Sequence, residues 1–345
     1  MAAGSQGGVS PELNRTPGTQ DVLQVEDLNI WFATGAGEVQ AVRDVSFTVR
    51  AGEALGMVGE SGSGKSITGL SIMRLLDTPP ARVEGRILFQ GRNLLEFTER
   101  EMQSLRGSAI SMVFQDPMTA LDPVFTVGRQ ISETIRTHRK LNKKDAREAA
   151  IDMLASVGIP LPAQRYGEYP HQLSGGMRQR VMIAMALSCE PALLIADEPT
   201  TAVDVTIQAQ ILALLRRLSD EHGTAVLLIT HDLGVVAEFC SRVVTLYAGE
   251  VVETAPVDDL LATPQHPYTS GLLQAIPRVT SRGKPLKSIR GRVPAPADMP
   301  QGCRFHPRCD HAQDPCLERQ ELLPAGTGRG VRCWRSDELV LPGAL

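Results

Sequence analysis

Two kinds of hydrophobic pattern follow one another in the first part of this chain. Within Val22–Val58 apolar side chains alternate with polar ones, as they do along residues 45–49, which predicts partly exposed antiparallel strands. The end of that segment, Ala54–Val58, is an unbroken apolar run that leads into a glycine-rich turn. Lys65–Leu76 has the pattern of a helix. The predicted order here is therefore strand, loop and helix.

Further apolar runs and a change in composition indicate how the rest of the chain is organised. Ala192–Ala196 and Ala225–Ile229 are short and flanked by helical patterns, which predicts buried parallel strands in a layered α/β core. Residues 98–167 are more charged and predict mainly helices, with the basic stretch at 136–144 as a solvated helix face. Prolines accumulate over residues 256–300, which predicts an extension wrapped on the surface and not a second large core.

Composition narrows the class of protein. The chain has 345 residues, of which 42% are hydrophobic and 21% charged, and its net charge is −4. Most of it can therefore bury a core, and the acidic balance argues against a nucleic-acid partner, because such proteins present a basic face. The longest apolar runs are too short to cross a membrane, and the start of the chain lacks the features of a signal peptide. We therefore expect a cytoplasmic protein with a disordered tail at residues 1–20.

The glycine-rich turn carries the first chemical motif, because its sequence G-E-S-G-S-G-K-S fits the phosphate-loop pattern G-x-x-x-x-G-K-S/T. Glycines let successive backbone N–H groups point inward at phosphate oxygens, and the following helix presents its positive end to the same anion. Lys65 adds a charge near the β- and γ-phosphates, and the hydroxyl of Ser66 is suited to ligate Mg²⁺. The candidate ATP-binding residues here are Gly59, Glu60, Ser61, Gly62, Ser63, Gly64, Lys65 and Ser66.

Two acids follow the next core strand. Asp197 ends the apolar run and Glu198 comes directly after it. A strand that ends at a phosphate site would deliver Asp197 to the Mg²⁺ shell, while Glu198 points differently and would polarise an attacking water as the catalytic base. The sequence therefore predicts an ATPase site at the ends of two strands.

A third motif identifies a family. Residues 173–180, L-S-G-G-M-R-Q-R, closely resemble the signature of ATP-binding-cassette (ABC) ATPases and stand just ahead of the Asp-Glu strand, as in that family. The resemblance implies an α/β P-loop NTPase of the ABC type, with a RecA-like core, an antiparallel β-subdomain and a helical subdomain. It also implies that Ser174, Gly175 and Gly176 contact the ATP held by a second cassette.

The family's other marks appear in order. The resemblance makes Gln115 the Q-loop glutamine, which senses Mg²⁺ and the attacking water, and makes His231 the switch histidine, which contacts the γ-phosphate. Residues 201–204, T-A-V-D, are similar to the D-loop and depart from the commoner S-A-L-D, although Asp204 is retained. For the aromatic side chain that stacks on adenine, Phe32 is preferred and Trp31 is the alternative.

The end of the chain narrows the cargo. His266–Thr269, H-P-Y-T, and residues 272–277 resemble the C-terminal extension of oligopeptide and dipeptide importer ATPases. That implies peptide import with two permease subunits and an extracytoplasmic binding protein, at the cytoplasmic face of the membrane. Nickel or glutathione import stays open, and a soluble ABC ATPase outside transport is a remote alternative. The predicted divisions are a tail at 1–20, an ABC nucleotide-binding domain at 21–255 and a cysteine-containing extension at 256–345.

Four of the six cysteines crowd into this extension. In a reducing compartment such a cluster indicates a metal site before disulfides. The importer resemblance implies a [4Fe–4S] cluster on these thiols, with zinc as the alternative and His306 or His311 as a substitute ligand. The predicted cluster ligands are Cys303, Cys309, Cys316 and Cys333. The other two cysteines, Cys189 and Cys240, are expected to be ordinary buried thiols.

Overall fold

The computed structural model describes residues 21–35, 37–201, 204–276, 288–295 and 298–344. The predicted tail, two D-loop residues (Ala202 and Val203) and part of the proline-rich stretch lie outside the described residues. Within those ranges the strands are β1 (Asp21–Thr34), β2 (Gly37–Arg50), β3 (Ala54–Val58), β4 (Ala81–Phe89), β5 (Arg92–Asn93), β6 (Ile110–Val113), β7 (Leu193–Asp197), β8 (Ala225–Thr230), β9 (Arg242–Tyr247), β10 (Glu250–Pro256), β11 (Leu323–Pro324) and β12 (Gly330–Val331). The helices are α1 (Lys65–Ile72), α2 (Glu99–Leu105), α3 (Pro117–Ala120), α4 (Val127–Arg139), α5 (Lys143–Ser156), α6 (Pro162–Arg165), α7 (Gly175–Leu187), α8 (Val205–His222), α9 (Leu233–Phe239), α10 (Val257–Ala262) and α11 (Pro267–Ala275).

The strands form two sheets. The smaller sheet is antiparallel, in the order β2-β1-β4-β5, and the larger has the order β11-β12-β10-β9-β3-β8-β7-β6. In the larger sheet β6, β7, β8, β3 and β9 run parallel, and β10, β12 and β11 extend one edge in antiparallel pairs. The antiparallel strands predicted from the alternating pattern and the two predicted parallel strands are thereby confirmed.

The larger sheet is buried on both faces, which explains the unbroken apolar runs of its strands. Along β8, Val226 and Leu228 pack among the helices on one face. Leu227 and Ile229 belong to a second hydrophobic cluster, which the smaller sheet shares. Because side chains alternate across a strand, a strand between two apolar layers needs apolar residues at every position.

The parallel strands also bring the motifs to one place. β3 ends at Val58, directly before the phosphate loop, and β7 ends at Asp197. β6 and β8 end two residues before Gln115 and one residue before His231, respectively. Because these strands run parallel, their carboxyl ends meet at one edge of the sheet, where ligands of open α/β sheets bind.

Three local predictions need correction. α1 ends at Ile72 and not at Leu76, because Arg74 takes a left-handed φ of 49° that ends an α-helix. Residues 98–167 are mainly helical, but they include the buried strand β6. The basic stretch at 136–144 is largely exposed as expected, yet it spans two helices, since Lys140 turns left-handed after α4 and Asn142 caps α5.

The extension packs against the edge of the larger sheet. β11 and β12 add to that edge, and Tyr247 of β9 packs against Tyr268 of α11 and against Phe305, with ring centroids 4.7 and 5.1 Å apart. These rings form the centre of a small third hydrophobic cluster. Among the helices that the structure describes, none is both long and apolar enough to cross a membrane.

Candidate nucleotide-binding and hydrolysis site

The phosphate loop joins the end of β3 to the start of α1. A Cβ atom on Gly59 would lie 2.2 Å from the carbonyl oxygen of Leu246, so only glycine fits there. Gly64, at φ 97°, caps α1, whose first N–H groups have no partner within the helix. The Nζ atom of Lys65 donates to the carbonyls of Gly59 and Glu60, at 2.8 and 3.1 Å. Burial lowers the pKa of Lys65, although nearby Glu198 and Asp197 oppose that shift.

A hydroxyl and a carboxylate meet beside the loop. Ser66, the first-turn residue of α1, donates its Oγ hydrogen to Oδ1 of Asp197 at 3.0 Å. Asp197 is only 5% exposed, and burial raises the pKa of its carboxyl group. Oxygen donors of this kind suit Mg²⁺, and a cation beside a buried carboxylate would favour its ionised form. Of the three predicted Mg²⁺ residues, Ser66 and Asp197 are therefore adjacent and chemically suited to the ion, whereas the amide of Gln115 contacts Glu198.

The three predicted catalytic residues come together around the carboxylate of Glu198. Gln115 donates from Nε2 to its Oε2 at 3.1 Å, and Nδ1 of His231 lies 3.1 Å from its Oε1. Thr201 also donates from Oγ1 to Oε2, at 2.8 Å. These four side chains are called the Glu198 cluster below.

The Glu198 cluster fixes both the direction and the charge of its carboxylate. The backbone of Glu198 has a left-handed φ of 46°, a conformation that costs non-glycine residues about 1–2 kcal/mol and occurs often at functional sites. Burial opposes ionisation of this carboxyl, but the hydrogen bonds from His231 and Thr201 outweigh it and leave the pKa lowered. Glu198 is therefore ionised and aimed, as a base must be.

Thr201 is a site residue that the sequence analysis missed. A single threonine after Glu-Pro-Thr has no spacing pattern that marks it, although it lies in the predicted D-loop. The same holds for Gln179 of the signature, whose Nε2 donates to the carbonyl of Pro199 at 2.5 Å. This bond ties α7 to the segment that carries Glu198.

The three signature residues predicted to contact ATP lie at or near the surface. Ser174 caps α7 by accepting a hydrogen bond from the N–H of Met177 at 3.4 Å, and both Ser174 and Gly175 are exposed. Gly176 faces Ile207 of α8, since a Cβ atom there would lie 3.2 Å from that side chain. None of the hydrogen bonds in the described ranges joins Ser174, Gly175 or Gly176 to the phosphate loop of the same chain.

The predicted D-loop aspartate and the two candidates for adenine stacking lie in different environments. Asp204 caps α8 and accepts a hydrogen bond from the N–H of Ile207 at 2.9 Å. Trp31 is covered by the guanidinium of Arg82, 3.9 Å from the ring centroid. Phe32 packs at the margin of the hydrophobic cluster shared by the two sheets and stays half-buried. Among the described contacts, a guanidinium covers the ring of Trp31 and none covers the ring of Phe32.

The four extension cysteines line one cavity, together with His306, His311 and Trp334. Trp334 donates from Nε1 to the sulfur of Cys316 at 3.3 Å, and the N–H of His311 donates to the sulfur of Cys309 at 3.4 Å. Cys240, by contrast, is buried as expected, and Cys189 is half-buried. We call this site the thiol cavity.

The predicted iron–sulfur cluster gains no support from the placement of these side chains. In the described ranges, no group of three or more His, Cys, Asp or Glu residues is arranged to hold a metal ion. Burial raises the pKa of Cys303 to about 12 and that of Cys309 to about 11. Without a metal these two thiols are therefore protonated, and they would release their protons on binding one.

A phosphate loop, an adjacent Ser–Asp pair and an aimed glutamate, all at the carboxyl edge of one sheet, define a P-loop ATPase domain. Comparison with known families agrees. The ABC transporter model matches residues 42–201, and the model of the oligopeptide/dipeptide transporter C-terminal region matches residues 252–316.

Individual relatives extend this likeness over nearly the whole chain. The probable peptide ABC transporter ATP-binding protein y4tR of Sinorhizobium fredii is 51% identical over 331 residues, which are 95% of this chain and 99% of the relative. The oligopeptide transport ATP-binding protein AppD of Bacillus subtilis is 50% identical over 92% of this chain and 97% of its own. OppD of Salmonella typhimurium is 49% identical over 93% and 95%, respectively. This chain belongs to the family of ABC transporter ATP-binding proteins.

A solved structure confirms the predicted cassette fold. The dimeric post-hydrolysis structure of the ATP-binding cassette MJ0796, bound to ADP and Pi, is similar to this chain with a TM-score of 0.62 and 28% identity. The match covers 68% of this chain and 98% of that one. As a member of this family, the chain is an ATPase.

Proposed function

We propose that this chain hydrolyses ATP to power the import of di- and oligopeptides through a membrane ABC transporter. One observation supports peptides as the transported substrate. Relatives that are about half identical over nearly the full length are named for peptide or oligopeptide transport. The match to the oligopeptide/dipeptide transporter C-terminal region supports the same cargo.

The proposed roles follow from the contacts around the loop. The N–H groups of residues 61–66 and the ammonium of Lys65 bind the phosphates. Glu198 accepts the proton of the attacking water, and Gln115 and His231 hold its carboxylate toward that water. Ser66 and Asp197 hold Mg²⁺, which offsets the negative charge of the phosphates when bound. Phe32 stacks on the adenine ring.

The signature and the D-loop are proposed to act across a dimer. Ser174 and Gly175 are exposed at the start of α7, where a helix N-terminus favours an anion. In a head-to-tail pair this surface would face the ATP on the phosphate loop of a second cassette, with Asp204 near the contact. MJ0796 supports such a pair, since its cassette was solved as a dimer.

The membrane partners are proposed from an exposed apolar surface beside Gln115. Phe114, Met118 and Val124 are 36%, 56% and 71% exposed, and exposed apolar patches mark interaction sites. Two permease subunits would dock there, which places the chain at the cytoplasmic face of the membrane. A substrate-binding protein on the other side would deliver the peptide.

Uptake of labelled di- and oligopeptides by the native host tests the proposal. We expect Glu198→Gln to abolish peptide uptake. Glu221→Gln neutralises an exposed acid that pairs with Arg217, and we expect normal uptake from it at equal protein levels. Nickel uptake is measured alongside. If Glu198→Gln leaves peptide uptake intact and lowers nickel uptake, the peptide proposal is wrong.

For the thiol cavity we propose a [4Fe–4S] cluster, with zinc as the alternative. The proposal rests on the importer resemblance of the extension, and Cys316, which accepts a bond from Trp334 in the cavity, is the residue to change. Because the described residues do not form a ligand set, no step of hydrolysis is assigned to a cluster. Iron, zinc and acid-labile sulfide are measured in protein purified without oxygen. We expect Cys316→Ser to lose the metal and the control Cys240→Ser to keep it. Absence of iron, zinc and sulfide from the parent protein would exclude both kinds of site.

A further inference from the structure

The extension reaches back to the phosphate loop through a tyrosine. The hydroxyl of Tyr268, on α11, accepts a hydrogen bond from the backbone N–H of Glu60 at 2.8 Å. The Tyr268 side chain is fully buried between Tyr247 and Phe305, so the hydroxyl has a fixed position. An element 208 residues away in sequence therefore holds the second residue of the loop.

An arginine of the extension holds the side chain of the same loop residue. Arg308 donates from Nη1 and Nη2 to the two carboxylate oxygens of Glu60, at 2.7 and 3.0 Å. Its Nε donates to the carbonyl of Arg290 at 2.9 Å, and the Arg308 side chain is only 5% exposed, against 28% for Glu60. Two parallel bonds to a carboxylate fix geometry better than a single contact. An arginine side chain is charged at any physiological pH, so both bonds to Glu60 are charge-assisted.

The position of Glu60 matters for the residues that bind phosphate. Its carbonyl accepts hydrogen bonds from Nζ of Lys65 at 3.1 Å and from the N–H of Ser63 at 3.2 Å. A loop that shifts at Glu60 would therefore shift the lysine and the amides. The carboxylate of Glu60 would also repel a triphosphate unless a cation offsets it, and Arg308 is that cation.

We propose that Tyr268 and Arg308 are positioning residues that hold the phosphate loop in the form that binds ATP. The C-terminal extension thus completes the nucleotide site of its own chain. The inference rests on the proposed ATP-binding role of the loop. It adds a function to the extension that differs from the choice of cargo.

ATP affinity of the full-length chain tests the proposal. Mg²⁺-ATP binding is titrated in a Glu198→Gln background, which prevents turnover. Arg308→Met is expected to weaken ATP binding about tenfold or more, because hydrogen bonds to charged groups are strong. Arg308→Lys is expected to recover part of it through charge alone. Tyr268→Phe keeps the ring and removes the hydroxyl, with about a threefold to tenfold loss expected.

A matched control separates positioning from folding. Arg329 also joins the extension to the cassette, through Glu253 at 3.4 Å, with side chains 11% and 1% exposed. It makes no described contact with the phosphate loop, and it pairs with Oε1 of Glu253, so its removal keeps the bond that the N–H of His266 donates to Oε2. Arg329→Met is expected to lower the melting temperature of the nucleotide-free protein and to leave ATP affinity unchanged. Arg308→Met is expected to lower affinity beyond any change in melting temperature.

A double substitution gives the decisive comparison. If Arg308 acts through Glu60, Arg308→Met weakens ATP binding much less in a Glu60→Gln background than in the parent. In the assembled transporter the variants raise KM for ATP with little change in kcat, because the Glu198 cluster is untouched. Lys65→Ala serves as the control that should abolish ATP binding. If it does so, and both Arg308→Met and Tyr268→Phe bind ATP with parent-like affinity, the inference is overturned. If Lys65→Ala binds ATP normally, the assigned nucleotide site is wrong and the inference falls with it.

Discussion

Replacement of Glu198 by glutamine changes the charge of the proposed base with little change in shape. The remaining oxygen of the new amide keeps the place of Oε2, where Gln115 and Thr201 donate. The new NH₂ group takes the place of Oε1 and donates to Nδ1 of His231 once the ring proton moves to Nε2, the opposite tautomer to the one that donates to the carboxylate. The hydrogen bonds of the Glu198 cluster therefore survive, and the variant isolates the loss of basicity.

The size of the effect follows from the role of the group. General base catalysis contributes about 10²- to 10⁴-fold to rate, which corresponds to about 3–5 kcal/mol of transition-state stabilisation. A drop of at least about 100-fold in kcat is therefore expected. ATP affinity should be equal or higher, since one negative charge near the γ-phosphate is gone.

Steady-state phosphate release by the assembled transporter and ATP titration of the isolated chain measure the two effects separately. Thr201→Val provides a second variant, which removes one donor to Glu198 and keeps the carboxylate, so a smaller loss of kcat is expected. The reasoning is refuted if Glu198→Gln retains more than about half of the parent kcat. A variant that loses ATP binding as well would show that Glu198 holds the site together and does not act mainly as a base.

Three further outcomes are expected. Gly59→Ala should abolish Mg²⁺-ATP binding in a filter or calorimetric assay, because its Cβ atom would lie 2.2 Å from the carbonyl of Leu246; normal binding would contradict the loop geometry. Asp197→Asn should keep or raise the melting temperature of the nucleotide-free protein at pH 7. Burial raises the pKa of Asp197, so its ionised form costs stability above the pKa of the unfolded state. The added stabilisation by Mg²⁺-ATP should be lost, and a clear fall in the nucleotide-free melting temperature would contradict the argument. Phe32→Ala should weaken ATP binding about tenfold while Trp31→Ala, whose ring Arg82 covers, has little effect; the reverse order in titrations would assign adenine stacking to Trp31.

The site was predictable from sequence where chemistry and strand order coincide. The motifs that contain Lys65 and Asp197 stand at the ends of unbroken apolar runs, and parallel strands bring such ends to one edge. That rule also accounts for His231, which follows β8. The strand before Gln115 escaped notice because β6 has only four residues in a charged, mainly helical segment, too few for a clear periodicity.

Other parts of the site depend on contacts that no local pattern encodes. Thr201 reaches the carboxylate of Glu198 across a turn in which Glu198 has a left-handed φ of 46°. Arg308 meets Glu60 across 248 positions of sequence. The pair of Arg308 and Glu60 follows from how the extension packs, and a single sequence shows neither the register nor the contact. The thiol cavity is the converse case, since the gathering of its cysteines was predictable and the burial that raises the pKa of Cys303 and Cys309 was not.

The H-P-Y-T stretch shows how one segment serves both the fold and the site. His266 caps α11 by accepting the N–H of Tyr268 at Nδ1, 3.1 Å away. Burial lowers the pKa of His266 to about 3, so the ring stays neutral and Nδ1 remains free to accept. Glu253 of β10 fixes the histidine in turn, by accepting its backbone N–H at 2.9 Å. This cap sets the direction in which α11 begins and, with it, the place where the hydroxyl of Tyr268 meets Glu60. A segment that the sequence associates with cargo class is thus connected, through the hydroxyl of Tyr268, to the loop proposed to bind ATP.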